Sequence, residues 1–317
     1  MADNLAFYNK FMGKNSDFGA KVVTCGIKEL TSRRKTALFV VFLPPTLRVS
    51  SYPNKQTKYR YMQDKQRPYL VISNDDGVRA KGLQTLIDVL RPHYDLLVVA
   101  PDGSRSAMSM AITARQPIIG KLLRQEEGLE EYVCSGTPVD CLKLALCRYA
   151  RRKPDLVIGG INHGDNSSVN AHYSGTVGIA AEGALQGLPA IAFSLCDMEE
   201  DADFEPLRPF ILQFVDKVLR EGMPAWTCLN INFPEGLKTY KGVRYCRMAQ
   251  SRWVKEVEDC PHPWKPGLHF WLVGECEELE PEATDTDRWA LANGYVAVTP
   301  QTFDTTSYDY LQALKQE

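Results

Sequence analysis

Two adjacent carboxylates and a glycine, Asp75-Asp76-Gly77, close a short apolar run, Tyr69-Leu70-Val71-Ile72. Neighbouring anions at a strand end repel each other unless a cation or protons intervene. Their hard oxygens suit Mg²⁺ or Mn²⁺. The same residues can also form an ordinary strand-closing turn. Further along, Asp102 to Ser106, Ser135-Gly136-Thr137 and Gly160 to Asn166 offer carboxylate, hydroxyl and amide oxygens after other apolar runs. An Asn oxygen is a fair ligand for a hard cation. Ser174-Gly175-Thr176 precedes an Ala-rich segment. Hydroxyls and N–H groups in such a place either bind phosphate or simply cap a helix. His163 reads as a general acid, a phosphate donor or a surface histidine.

These residues work together only if the fold gathers them. Tyr69–Ile72, Asp95–Ala100, Tyr132–Ser135, Leu156–Ile158 and Ala190–Ser194 read as buried strands. Between them, Gly82–Leu90, Val139–Tyr149 and Val177–Leu185 carry helical spacing, and Leu207–Leu219 follows as another helix. Strand–helix–strand repetition with right-handed crossovers predicts a Rossmann-like, doubly wound, mostly parallel α/β sheet. Ligands of such sheets collect at the carboxyl ends of the strands, where all the turns named above would lie. Acidic pair, hydroxyl turns, Asn loop and helix N-termini on one edge describe a divalent-metal phosphate site, and hence metal-dependent phosphoester hydrolysis. No Walker P-loop, no G-x-G-x-x-G after the first strand and no G-x-S-x-G elbow is present, which disfavours the corresponding NTPase, dinucleotide and α/β-hydrolase classes.

The chain has 317 residues, 44% hydrophobic and 24% charged, ordinary values for a globular protein. A net charge of −2 gives no sign of a nucleic-acid or membrane partner. Nine scattered cysteines without a C-x-x-C pair point to reduced thiols and a cytoplasmic location. Charge is uneven: residues 1–67 hold 13 Lys and Arg against 4 Asp and Glu, the remainder 24 against 35. Residues 1–67 are therefore separated as a basic N-terminal extension. Three readings of it stay open: a basic flexible arm, an organellar transit peptide, or an upstream segment with Met62 as the natural start. Residues 68–317 form the second unit, with an α/β core over about 68–227 and a β-rich C-terminal extension over about 228–317. Leu229–Pro234, Phe270–Val273 and Tyr295–Thr299 are the strand candidates of that extension.

Five ordered motifs resemble one family: SNDDG at Ser73–Gly77, VVAPDGSRS at Val98–Ser106, SGTPVDCLKLAL at Ser135–Leu146, GGINHGDN at Gly159–Asn166 and YSGTVGIAAEGALQGLPAIAFS at Tyr173–Ser194. They look like the SurE family, the survival protein E type of 5′/3′-nucleotidase. The resemblance runs from about Tyr69 to Thr306 and omits residues 1–67. It implies one divalent cation per subunit, Mg²⁺ or Mn²⁺, held by Asp75, Asp76, Ser106 and Asn162. Asp75 and Asp76 are the implied catalytic residues, and the nucleophile is either metal-bound water or one of these carboxylates. Ser135, Gly136, Thr137, Asn166 and Ser174 are the implied phosphate-binding residues. The implied substrates are nucleoside 5′-monophosphates, with 3′-monophosphates and short polyphosphate as further candidates. A homodimer or homotetramer is implied as well. A non-catalytic nucleotide-binding protein on the same scaffold is the competing expectation. Gly103, Ala107, Ala111 and Gly159 depart from the usual family residues without removing a ligand.

Overall fold

Every side chain of Tyr69–Ser73 (β1) is buried, and alternation sends them to opposite faces of the sheet. Leu70 and Ile72 join an apolar cluster on one face, and Tyr69 and Val71 join a second cluster on the other. The computed structural model in which these contacts occur describes residues 67–260, 265 and 267–316. The expectations for residues 1–66 lie outside the described residues.

The helix Lys81–Leu90 (α1) lies between β1 and Asp95–Pro101 (β2), which pair in parallel. The chain then makes an antiparallel edge hairpin, Gly120–Glu126 (β3) with Leu129–Cys134 (β4). Pro138–Leu144 (α2) leads through a π-helical turn to Leu156–His163 (β5), Gly175–Leu185 (α3) and Ala190–Leu195 (β6). Arg208–Glu221 (α4) returns the chain to Thr227–Phe233 (β7). Short strands Val243–Tyr245 (β8), Ser251–Val254 (β9), Val257–Asp259 (β10), Phe270–Leu272 (β11) and Glu275–Glu278 (β12) follow. Asp287–Ala292 (α5), Val296–Thr302 (β13) and Tyr308–Leu314 (α6) complete the order.

Nine strands form one sheet in the order β3-β4-β2-β1-β5-β6-β7-β13-β8. The six strands from β4 to β7 are parallel, as the doubly wound reading requires. Leu83, Leu86 and Leu90 of α1 and Ile211, Phe214 and Val215 of α4 cover one face. Cys141 and Leu142 of α2 and Val177, Ile179 and Ala180 of α3 cover the other.

Two features differ from the sequence expectation, and the expected β-rich extension takes the form of a ribbon. β7 is a parallel strand of the central sheet beside β6, so the α/β core continues through Phe233. β3 is exposed along nearly its whole length, and an edge strand without a buried face carries no hydrophobic alternation to read. In the extension, β9 pairs with β12 and β10 with β11, both antiparallel. Together they make a two-stranded ribbon broken at residues 255–256 and 273–274, not a sheet with a core of its own.

Gly82 marks where α1 meets β5. A Cβ there would lie 2.1 Å from the Ile161 carbonyl oxygen, so only hydrogen fits. Gly82→Ala is expected to lower the unfolding free energy by about 2 kcal/mol through overpacking. A urea midpoint equal to that of the parent chain would contradict this seating of the helix.

Candidate active site

The carboxyl ends of β1, β2 and β5 and the start of α3 surround one cavity of about 700 Å³. Asp75, Asp76, Ser106, Asn162, Asn166 and Ser174 all line it. The structure therefore brings together all four residues of the expected metal set and two of the five expected for phosphate.

β1 ends in an Asn turn. Asn74 Nδ2 donates to the Gly77 carbonyl (3.0 Å), and Gly77 N–H donates to Asn74 Oδ1 (3.3 Å). This turn presents the two carboxylates in succession. Asp75 faces the N-terminus of α3, where Thr176 Oγ1 donates to Oδ1 (2.7 Å) and Thr176 N–H to Oδ2 (3.3 Å). Such a helix end favours an anion. Asp76 Oδ2 accepts from the His163 N–H (3.1 Å). Among the described residues neither carboxylate forms a salt bridge with Lys or Arg, and the His163 charge offsets burial at Asp76 only in small part. Burial pushes the Asp75 carboxyl above its ordinary range, against the Thr176 hydrogen bonds. Asp76 is pushed up to about 6, by burial first and by the Asp75 charge second.

The other donors arrive by different means. Ser106 sits on the loop after β2, with its Oγ 3.0 Å from Ser104 Oγ. That loop is tied down by Arg105, whose N–H donates to the Asp75 carbonyl (2.6 Å) and whose guanidinium pairs with Asp102 (2.8 Å). Asn162 follows a break in the β5–β6 register between Gly159 and Asn162. A bulge of this kind re-aims a side chain. Asn162 Nδ2 donates to the Gly164 carbonyl (2.9 Å), which leaves its Oδ1 as the free end. Among the described residues no three His, Cys, Asp or Glu stand close enough to hold a metal. A cation here would need the neutral oxygens of Ser106 and Asn162 beside the two carboxylates. An all-oxygen set with two uncompensated anions fits a hard divalent ion.

Ser174 caps α3, its Oγ accepting from the Val177 N–H (3.0 Å) while its own proton stays available to a ligand. Asn166 is held by a buried amide ladder. Its N–H donates to Asn232 Oδ1 (3.0 Å), its Nδ2 to Ser194 Oγ (2.8 Å), and its carbonyl accepts from Asn230 Nδ2 (2.8 Å). Asn232 Nδ2 in turn donates to Asn230 Oδ1 (3.0 Å). The two asparagines occupy alternate positions of β7, and two amides on one face of a buried strand were the legible signal that it supports something polar.

Ser135, Gly136 and Thr137 do not line the cavity. Ser135 Oγ accepts from the Ile119 N–H (2.9 Å), Gly136 N–H points to Cys134 Sγ (3.2 Å), and Thr137 Oγ1 donates to the Ala111 carbonyl (2.7 Å). They fasten the long loop between β2 and β3. Sequence reasoning, for its part, did not find that Trp253, Glu256, Leu272 and Val273 of the ribbon also line this cavity.

A doubly wound α/β sheet with paired carboxylates and an anion-ready helix end defines a phosphoryl-handling class of site. Residues 70–255 match the family Survival protein SurE, and the chain belongs to that family. It is 51% identical over 251 residues to the 5′-nucleotidase SurE of Phocaeicola vulgatus, covering 79% of this chain and 97% of that protein. The 5′-nucleotidase SurE of Bacteroides fragilis is 48% identical over 252 residues, with 80% and 98% covered. The crystal structure of the SurE protein from Aquifex aeolicus superposes with a TM-score of 0.67 at 34% identity, over 78% of this chain and 99% of that one.

Two outcomes are expected. In the metal-free protein Asp76 keeps its proton up to about pH 6, whereas the unfolded chain releases it near 3.8. Between these values the native state binds more protons, so stability falls as pH rises, and the loss is complete above about 6. Asp76→Asn should therefore stabilise the chelator-treated protein by about 1–2 kcal/mol near neutral pH and leave it unchanged at acid pH. Thermal melts across that range check this, and parallel pH profiles would count against it. Asn232→Ala orphans the buried Asn166 N–H and should cost about 2 kcal/mol. Amide exchange at Asn166 should accelerate by more than at the strand centres, and an unaltered exchange rate would oppose the ladder's role.

Proposed function

We propose that this chain is a 5′-nucleotidase that releases phosphate from nucleoside 5′-monophosphates with the help of one bound Mg²⁺ or Mn²⁺. The observation that carries this is the meeting of Asp75, Asp76, Ser106 and Asn162 in one cavity with the capped N-terminus of α3. Membership of the SurE family, with relatives named 5′-nucleotidase, supports the substrate class.

Asp75, Asp76, Ser106 and Asn162 would hold the cation, which when bound neutralises phosphoryl charge and polarises the ester. Ser174 Oγ and the Gly175 N–H, at the positive end of α3, would hold the phosphate oxygens the cation does not reach. Asn166, kept in place by Asn230 and Asn232, borders the same space. Thr176 and the His163 N–H keep the carboxylates pointed inward. The attacking oxygen belongs either to water, which gives phosphate directly, or to one of the two carboxylates, which gives an acyl phosphate that water then hydrolyses. In both, the P–O bond to the nucleoside breaks as the new one forms, and the departing 5′-oxygen takes up a proton that water supplies.

A homodimer or homotetramer is part of this proposal. No residue of α6 is buried, and Tyr308, Tyr310, Leu311 and Leu314 leave an uncovered apolar face. A cytoplasmic location belongs to it too, in keeping with eight described cysteines that are all unpaired. No helix among the described residues is long and apolar enough to cross a membrane.

Phosphate release from nucleoside monophosphates and from tripolyphosphate, with EDTA and with added Mg²⁺ or Mn²⁺, tests the reading. The expected result is metal-restored release from the nucleotides, cut by about a hundredfold or more in Asp76→Asn. Release from tripolyphosphate alone would favour an exopolyphosphatase. Binding without release from either would favour a non-catalytic nucleotide-binding protein.

A further inference from the structure

The cavity has lining residues that phosphate chemistry does not use. Trp253 of β9 lines it together with Asp75 and Asp76, although the ribbon is remote in sequence from every strand end of the core. Trp253 belongs to none of the three apolar clusters, so its ring is not there to fill a core. Its polar edge is fixed instead. Trp253 Nε1 donates to Asn170 Oδ1 (3.1 Å), and Asn170 Nδ2 donates to Asp165 Oδ2 (3.2 Å). Asp165 stands on the same loop as Asn162 and Asn166, and Arg288 pairs with it at 2.9 Å. The indole is thus registered against the loop that carries the metal and phosphate donors.

The ribbon is shaped to hold the ring. At the break between β11 and β12, Gly274 adopts φ +142, and a Cβ there would lie 3.1 Å from Trp253 Cε3 and 2.9 Å from the Val254 carbonyl oxygen. A bare backbone lets the strand lie close to the indole. Leu272 and Val273 continue the same wall in apolar character. An aromatic ring held by its edge, partly open and lining the same cavity as the phosphate donors, is built to stack on a flat ring of the ligand. A volume of about 700 Å³ is ample for a whole nucleotide.

We propose that Trp253 is the stacking platform for the base of the substrate, and that the ribbon thereby favours purine over pyrimidine monophosphates and both over phosphoesters without a base. This rests on the nucleotidase reading of the same cavity. Base–aromatic stacking is strong enough to change affinity by roughly tenfold or more per ring, and the two-ring purine offers the larger face.

The test compares AMP, CMP and ribose 5-phosphate as substrates for the full chain and for Trp253→Leu and Trp253→Phe. Trp253→Leu is expected to raise KM for AMP roughly tenfold, with a smaller rise for CMP and one at least severalfold smaller for ribose 5-phosphate. Trp253→Phe keeps a ring but loses the N–H, and should retain most of the preference for AMP. Equal losses on AMP and ribose 5-phosphate in Trp253→Leu would overturn the proposal and reduce Trp253 to an anchor for the ribbon. An unchanged KM for AMP would overturn it as well. If the parent chain releases phosphate from none of the three, the nucleotidase reading fails. Equilibrium dialysis with labelled adenosine then decides the stacking alone: weaker binding by Trp253→Leu supports it, and equal binding rejects it.

Discussion

Two neighbouring carboxylates must stay charged at the end of a fully buried strand, and the rest of the site is arranged around that constraint. Asp75 and Asp76 repel each other and, among the described residues, pair with no Lys or Arg, so their hydrogen bonds come from a hydroxyl and backbone N–H groups. Thr176 gives Asp75 a hydroxyl and an N–H at a helix terminus, and the His163 N–H steadies Asp76. Three hydrogen bonds of this kind hold direction without cancelling charge. The balance remains on the side of burial, which lifts both carboxyls above their ordinary range. A divalent cation is the group that would turn this cost into a binding energy.

Holding the other cavity residues around those carboxylates draws support from several parts of the described chain. Arg105 ties the Ser106 loop to β1 through the Asp75 carbonyl. The register break in β5 turns Asn162 inward. Asn230 and Asn232 reach from β7 to carry Asn166. From the C-terminal third, Asp287 accepts the Ser168 and Ala249 N–H groups (2.8 and 2.9 Å), while Arg288 holds Asp165. The extension after β7 is thus a clasp on the loop that carries the site as well as the source of Trp253, which joins Tyr173 in the cavity lining.

The sequence made the parallel core legible because its strands are short continuous apolar runs and its helices have clear spacing. Asp75, Asp76, Ser106 and Asn162 could be placed together because all follow strands that end on one edge. Ser135-Gly136-Thr137 and Ser174-Gly175-Thr176 read alike, each a hydroxyl–Gly–Thr triplet ahead of a helix. Only the tertiary structure separates them: the first spends its hydroxyls on Ile119 and Ala111, and the second sits over Asp75. The ribbon was hardest to read. Of its strands only Phe270–Leu272 was legible. The other three are three or four residues long and largely exposed or half-buried, so neither length nor alternation announces them, and nothing local reveals that Trp253 reaches the cavity.

The most direct test of this account is a calorimetric titration of the chelator-treated protein with Mn²⁺, repeated in buffers of different ionisation enthalpy. One ion should bind per chain, with protons released near pH 6 and few released near pH 8, because the carboxylates must give up protons to the incoming ion. Binding should be lost in Asp75→Asn and in Asp76→Asn. No saturable binding by the parent chain, or binding that survives both substitutions, would contradict the claim that this carboxylate pair is a cation site.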